Sequence, residues 1–303
     1  MTREQRQLGH ATLELLARAW CIAILRELAS GALRPSELER RLPGAPHAAL
    51  MRTLSALHSK GIVTHERYNG LLIRAQYALT ECGRLIFDVL AAAERWGSQW
   101  VAERSQDGRL AVSLIGDELT REILLALASE PIPPKQLGRR VSASRWTLQR
   151  RLARLVDDRV LLHHARGVYE LTESARQLAV VEIAAARWEW KWARPEGPVA
   201  AEDVAGVLRL FAPVAQVPVE LGGICRMHVD DEANGPDVFL AARDGRVAVL
   251  APAPGAPPEA SCHAPPPGWC DALLLRRWSA ISATGNQNLT DAMLSSVSAA
   301  MFA

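Results

Sequence analysis

Between Pro131 and Val156 the chain carries seven cationic side chains (Lys135, Arg139, Arg140, Arg145, Arg150, Arg151 and Arg154) and no acidic one. Two short helical patterns meet inside this run. The first, Lys135 to Val141, is entered through Pro133 and Pro134, which suit a first helical turn. The second opens at Ser142 or Ser144, both good N-cap residues, and repeats Leu148, Leu152 and Leu155 at helical spacing. Those leucines define an inward face. Trp146, Gln149, Arg150 and Ala153 then point outward, with Arg154 beside them. Two short helices across a tight polar turn, the second one basic, read as a helix-turn-helix. Arginine and glutamine can each bind base edges with two hydrogen bonds, and the remaining arginines suit phosphates. The plainer reading is a solvated charged face.

The next segment favours the helix-turn-helix. Val160 to Ala165 and Val168 to Leu171 are strand-like runs around Arg166-Gly167, a hairpin signal. A helix-turn-helix followed by a hairpin is a winged helix. His163 and His164 lie in that wing, and Thr172 is placed to cap a long helix.

The same order of signals stands nearer the N-terminus. Leu13 to Leu28 reads as one amphipathic helix, Arg34 to Leu42 as a short second one, and Pro46 opens a third with Leu50, Leu54 and Leu57 inward. A hairpin runs from Ile62-Val63 to Tyr77-Ala78-Leu79, and Thr80 caps a helix reaching about Trp100. The two stretches align as an internal repeat. Leu50 matches Leu148 and Tyr77 matches Tyr169, with the length difference falling in the wing. Leu79-Thr80-Glu81, Arg84, Arg95-Trp96 and Trp100 recur as Leu171-Thr172-Glu173, Arg176, Arg187-Trp188 and Trp192. Candidate DNA contacts in the first copy are Arg40, Arg41, His47 and Arg52, with Arg67, Asn69 and Arg74 in the wing. In the second they are Lys135, Arg139, Arg140, Ser144, Arg145, Trp146, Gln149, Arg150, Arg151, Arg154, His163 and Arg166.

From Trp20 to Arg84 the pattern W-x-x-x-I-L-x-x-L-x-x-G-x-x-R-x-x-E-L-x-x-x-L-P-G, then K-G-I-V and Y-x-L-T-x-x-G-R, resembles the HxlR-type winged-helix repressors. The second copy, residues 113–192, is similar but diverged: Gly61 becomes Arg159 and Gly83 becomes Ala175. The resemblance implies a MarR-like winged helix, DNA contact by the third helix and the wing, and terminal helices that mediate dimerisation. Two copies in one chain then imply a built-in pseudo-dimer, with a homodimer of chains still open. Many members of the family carry a reactive cysteine ahead of the first helix. Here the nearest, Cys21, falls inside a helix, which does not fit redox sensing.

Nine tryptophans against four phenylalanines are unusual. Trp20, Trp96, Trp100, Trp188, Trp190 and Trp192 sit on helices flanking the two copies. They read either as packing between those helices or as the wall of a site for a small apolar or aromatic effector, to which Trp269 is added as a candidate.

Beyond Pro195-Glu196-Gly197-Pro198 the helical periodicity fades. A short helix at Val204 to Phe211, a strand over Val217 to Val229 and a hairpin around Asp244-Gly245 are expected. A proline-rich loop over 251–268, a helix from Trp269 to Arg276, a strand from Trp278 to Ala283 and a last helix from Leu289 to Met301 complete the pattern. This order is similar to a sterol-carrier-protein-like domain, which implies a five-stranded sheet with helices over one face and an apolar cavity. The expected class is therefore mainly α with small β-wings, as two winged helix-turn-helix modules over 1–105 and 106–195, plus an α+β domain over 196–303.

Charge agrees with this division. The net of +2 hides parts of +4, +4 and −6, so the last third is not expected to bind nucleic acid. Five cysteines, widely spaced and odd in number, exclude a disulfide framework. Cys225-x-x-His228 with Cys262-His263 and Cys270 fits no standard zinc spacing, so no metal and no cofactor are expected. No apolar run is long enough for a membrane span, and the N-terminus lacks the apolar core of a signal peptide. A cytoplasmic, non-enzymatic protein is expected, since no P-loop, G-x-S-x-G, H-E-x-x-H or G-x-G-x-x-G occurs. The function expected is a DNA-binding transcriptional regulator, a repressor, acting on double-stranded DNA. The alternative is a ligand-sequestering protein on the same scaffold without DNA binding.

Overall fold

The computed structural model describes residues 9–68, 74–100, 108–127, 130–165, 167–193, 198–232, 235–250 and 255–302. They fall into two compact units. One takes the described residues of Gly9–Gly116 and Ala184–Arg194; the other takes those of Asp117–Ile183 and Pro195–Ala303.

The first unit holds α1 (His10–Ala17), α2 (Cys21–Ala29), α3 (Pro35–Arg41), α4 (His47–Ser59), the hairpin β1 (Val63–Tyr68) and β2 (Arg74–Leu79), α5 (Glu81–Leu85), α6 (Phe87–Trp100) and α7 (Arg109–Ile115). Its core is the apolar face of each helix: Leu13 and Leu16 of α1, Ile24, Leu25 and Leu28 of α2, Leu50, Leu54 and Leu57 of α4. The expected single helix from Leu13 to Leu28 is two helices. Trp20 breaks it with a φ of 73°, a left-handed backbone that a bulky side chain adopts only at a cost of about 1–2 kcal/mol. The helix after Thr80 is likewise split at Ile86. Thr80 does cap it, accepting from Gly83 N–H. A side chain at Gly83 would place its Cβ 2.0 Å from the Ile62 carbonyl oxygen, which explains the glycine.

The sequence places α7 at the head of the second repeat, yet it packs on α1 and α6. Gly116 makes this approach possible: a Cβ there would lie 3.0 Å from the Leu13 carbonyl oxygen and 3.2 Å from Ala17 Cβ. The end of α11 (Glu173–Trp188) and the π-helical turn after it, Glu189–Ala193, belong to the same unit. Trp188 Nε1 donates to the Cys82 carbonyl at 2.8 Å. The buried Glu189 carboxylate accepts from Thr12 N–H at 3.1 Å and Thr12 Oγ1 at 2.8 Å.

The second unit holds α8 (Glu118–Leu127), α9 (Pro134–Arg140), α10 (Arg145–Asp157), the hairpin β3 (Leu161–His163) and β4 (Tyr169–Leu171), and the first part of α11. It also contains α12 (Ala201–Phe211), β5 (Gly223–Val229), β6 (Asp237–Arg243), β7 (Arg246–Leu250), β8 (Ala260–Ala264), α13 (Pro266–Leu275), β9 (Ser282–Gly285) and α14 (Gln287–Phe302). Five strands form one sheet in the order β7-β6-β5-β8-β9, parallel only between β5 and β8. Cys225, Met227 and Val229 alternate inward on β5, as Val238, Leu240 and Ala242 do on β6. Three expectations fail here. β8 lies inside the expected proline-rich loop, the strand expected from Val217 begins at Gly223, and Trp278–Ala280 is a 3-10 turn ahead of β9.

An ion pair nearly sealed from solvent joins α8 to α11 in this unit, between Arg121 and Glu182. Removing one partner of such a pair costs about 3–5 kcal/mol. Arg121 also faces Asp203 on α12, whose Oδ2 is enclosed with no hydrogen-bond partner among the described residues. Burial raises the Asp203 pKa to about 6; Arg121 opposes the shift and Glu202 adds to it. A carboxyl raised above its unfolded value binds more protons folded than unfolded, so stability is lost as pH climbs from about 4 through 6. Asp203→Asn is therefore expected to raise the melting temperature at pH 8, by a stability gain on the order of 1 kcal/mol, and to change little at pH 4. Thermal unfolding at both pH values checks this.

Candidate nucleic-acid interface

The basic run folds as the leucine pattern requires. Leu148, Leu152 and Leu155 are buried, and Arg145, Trp146, Gln149, Arg150, Ala153 and Arg154 are exposed along α10. Ser144 caps the helix: its Oγ accepts from Thr147 N–H at 3.2 Å and lies 2.8 Å from Thr147 Oγ1. The turn from α9 is held by Glu122, which accepts from Ser142 N–H at 2.7 Å.

The cations divide into two groups. Lys135, Arg139, Arg145 and Arg150 are exposed, with no carboxylate at ion-pair distance among the described residues. Arg150 lies over the Trp146 ring, its guanidinium carbon 5.5 Å from the ring centre. Arg151, Arg140 and Arg154 are engaged. Arg151 bonds Asp117 Oδ1 at 2.9 Å and Thr120 Oγ1 at 3.2 Å, which ties α10 to the start of α8. Arg140 reaches the Ala126 carbonyl and Glu130, and Arg154 reaches Asp158 along its own helix.

In the first unit, α4 exposes His47, Ala48 and Arg52 over buried Leu50, Leu54 and Leu57. Arg40 and Arg52 are exposed without a carboxylate among the described residues. His47 pairs with Glu39, and Arg41 with Glu27 and Ser30. Arg67 and Arg74 fall in β1 and β2 near the hairpin's far end, but their side chains lie outside the described ones. Asn69 and Arg166 lie outside the described residues.

The two repeats share their joints. Leu33 bridges Tyr77 and Ile132 bridges Tyr169. Thr80 Oγ1 donates to the carbonyls of Gly61 and Ile62, and Thr172 Oγ1 to those of Arg159 and Val160. His65 stacks on Tyr77 with ring centres 4.7 Å apart, and His163 on Tyr169 at 4.6 Å. Gly61 has a φ of 70°, and Arg159 keeps the same left-handed turn at 57°.

A family model described as HxlR-like helix-turn-helix matches residues 15–105. An HTH-type transcriptional regulator of Methanothermobacter thermautotrophicus is 35% identical over 92 residues, covering 30% of this chain and 70% of that protein. One from Synechocystis is 37% identical over 93 residues, covering 31% and 69%. The chain belongs to the HxlR-like helix-turn-helix family. Among solved structures, a MarR-family transcriptional regulator from Enterococcus faecalis V583 is 31% identical, over 29% of this chain and 82% of that one, with a TM-score of 0.27. The family match covers the first repeat of this HxlR-like chain.

Trp96 and Trp188 are buried in the first unit, and Trp269 is fully buried in the second with Nε1 donating to the His228 carbonyl. Trp100 and Trp192 are half-buried, the latter under Lys191. Trp20 lines a cavity of about 320 Å³ with Leu16, Ile22, Ala23, Leu110, Arg18 and Arg109. The thiols and imidazoles weighed for zinc are separated by strand alternation. Cys225 and Cys262 face inward, and His228 and His263 face the other side. Among the described residues, no group of three or more such side chains could hold a metal.

Sequence reasoning missed Arg121, Glu182, Glu189 and the anchoring of Arg151. A lone acid set between tryptophans, as in Trp188-Glu189-Trp190, was the one available signal. Arg151→Ala is expected to destabilise the second unit by about 2 kcal/mol, since it leaves Asp117 without its cation. Arg145→Ala, on the exposed face, is expected to stay within about 0.5 kcal/mol of the wild type. Thermal unfolding of both variants checks the contrast.

Proposed function

We propose that this HxlR-like chain is a DNA-binding transcriptional regulator, a repressor, in which α4 and α10 each enter a major groove and one chain reads two unequal half-sites. The observation that carries the reading is the outward face of α10. Arg145, Gln149 and Arg150 stand exposed on a capped helix whose opposite face is sealed by three leucines. Charges held out in this way, with no carboxylate to neutralise them among the described residues, match a polyphosphate surface and base edges. Lys135 and Arg139 beside them suit phosphates, and His163 in the second wing stands exposed as well. Membership of a helix-turn-helix family supports the same role for α4, where Arg40 and Arg52 remain available. The sterol-carrier-like likeness of the last third is retained as a docking or sensing domain.

The effector reading is supported by the cavity beside Trp20. An apolar wall, an indole and a strained backbone at one point are features of a site for a small aromatic or apolar molecule. Such a molecule acts by favouring one arrangement of the reading helices over another.

Gel shifts on the DNA upstream of the gene test the regulator. A specific complex is expected whose log affinity falls steeply with log salt. Arg150→Ala is expected to weaken it by about 1–3 kcal/mol, and Arg52→Ala by less. Binding of aromatic compounds without any DNA complex would establish the sequestering alternative instead.

A further inference from the structure

Trp146 is one of three large apolar side chains exposed among the described residues, at 68%. Nothing in the packing requires a tryptophan there. It lies in the first turn of α10, immediately beyond the Ser144 cap that fixes that turn. An exposed indole gains nothing from the hydrophobic effect in the free protein, so its place has to be sought in what α10 meets. Its neighbour one turn on is Arg150, whose guanidinium carbon sits 5.5 Å from the ring centre, within cation–π range. At the aligned place in α4 stand Ala48 and Arg52, the same cation without the ring.

We propose that Trp146 and Arg150 act as one reading element that selects guanine in the half-site under α10, an inference that rests on the DNA-binding role of that helix. Arg150 is the contacting group and Trp146 the positioning one. A guanidinium stacked on an aromatic face loses much of its rotamer freedom before binding. It still presents the N–H fork needed for guanine O6 and N7. Early residues of a recognition helix are those closest to the bases, and Trp146 holds such a position. Arg52, lacking the platform, selects its base more weakly. The operator is therefore asymmetric in information content, with the more sharply defined half-site under α10.

The experiment selects duplexes from a random-sequence library with the full chain and with Trp146→Ala, Trp146→Phe and Arg150→Lys. Selected duplexes are then remade with adenine or 7-deazaguanine in place of the most strongly selected guanine. The wild type is expected to lose about tenfold or more in affinity on either replacement. Trp146→Ala is expected to lose most of that discrimination while keeping its affinity for unselected DNA and its salt slope. Trp146→Phe retains the discrimination, and Arg150→Lys abolishes it. If Trp146→Ala weakens every duplex equally with discrimination intact, the ring is a packing group and the inference is overturned. If the wild type binds no duplex, the DNA-binding reading falls and takes this inference with it.

Discussion

The packing of the first unit rests on a carboxylate that has left water. Glu189 is buried and accepts two hydrogen bonds from Thr12, one from the backbone and one from the hydroxyl. A buried charge with that many charge-assisted bonds is stabilising only while its partners stay in place, and costly once they leave. The preceding residue, Trp188, donates to the carbonyl of Cys82. Together these bonds commit the end of α11 to the first unit. There it meets α1 through Thr12 and α5 through Cys82, while α7 packs on α1 and α6, with Gly116 permitting its close approach to α1. The family resemblance implies that such terminal helices join two chains.

Most of the local architecture was legible because it is set by short-range rules. The leucine stripe of α10, its Ser144 cap and the Thr80 and Thr172 caps follow from spacing and side-chain chemistry alone. The likeness between the two stretches was visible through their tyrosines and tryptophans, and Tyr77 and Tyr169 occupy matching places, each stacked on a histidine of the facing strand. What the sequence hid depends on distant partners. Trp20, at a φ of 73°, breaks a helix whose apolar periodicity runs straight through it. The strand β8, Ala260–Ala264, has no β-branched residue and is flanked by prolines; its parallel pairing with β5 makes it a strand. Arg151 looks like its neighbours in a basic run until Asp117 arrives from another helix.

The same contrast shapes the candidate interface. Three of the seven cations in the run are held by residues of their own unit, and four stand outward. The first repeat shows the same thinning, with His47 and Arg41 taken by Glu39 and Glu27. The two stretches differ on the outward face, Ala48 against Trp146, as well as at buried Thr53 against Arg151. The joints, including the left-handed turn shared by Gly61 and Arg159, are kept.

The central claim is that one chain carries both reading helices of a regulator. Native mass spectrometry of the full chain on a duplex that it binds specifically counts the chains directly. One chain per duplex, with both half-sites needed for full affinity, is the predicted result. Two chains per duplex, each engaging a single half-site, would contradict it.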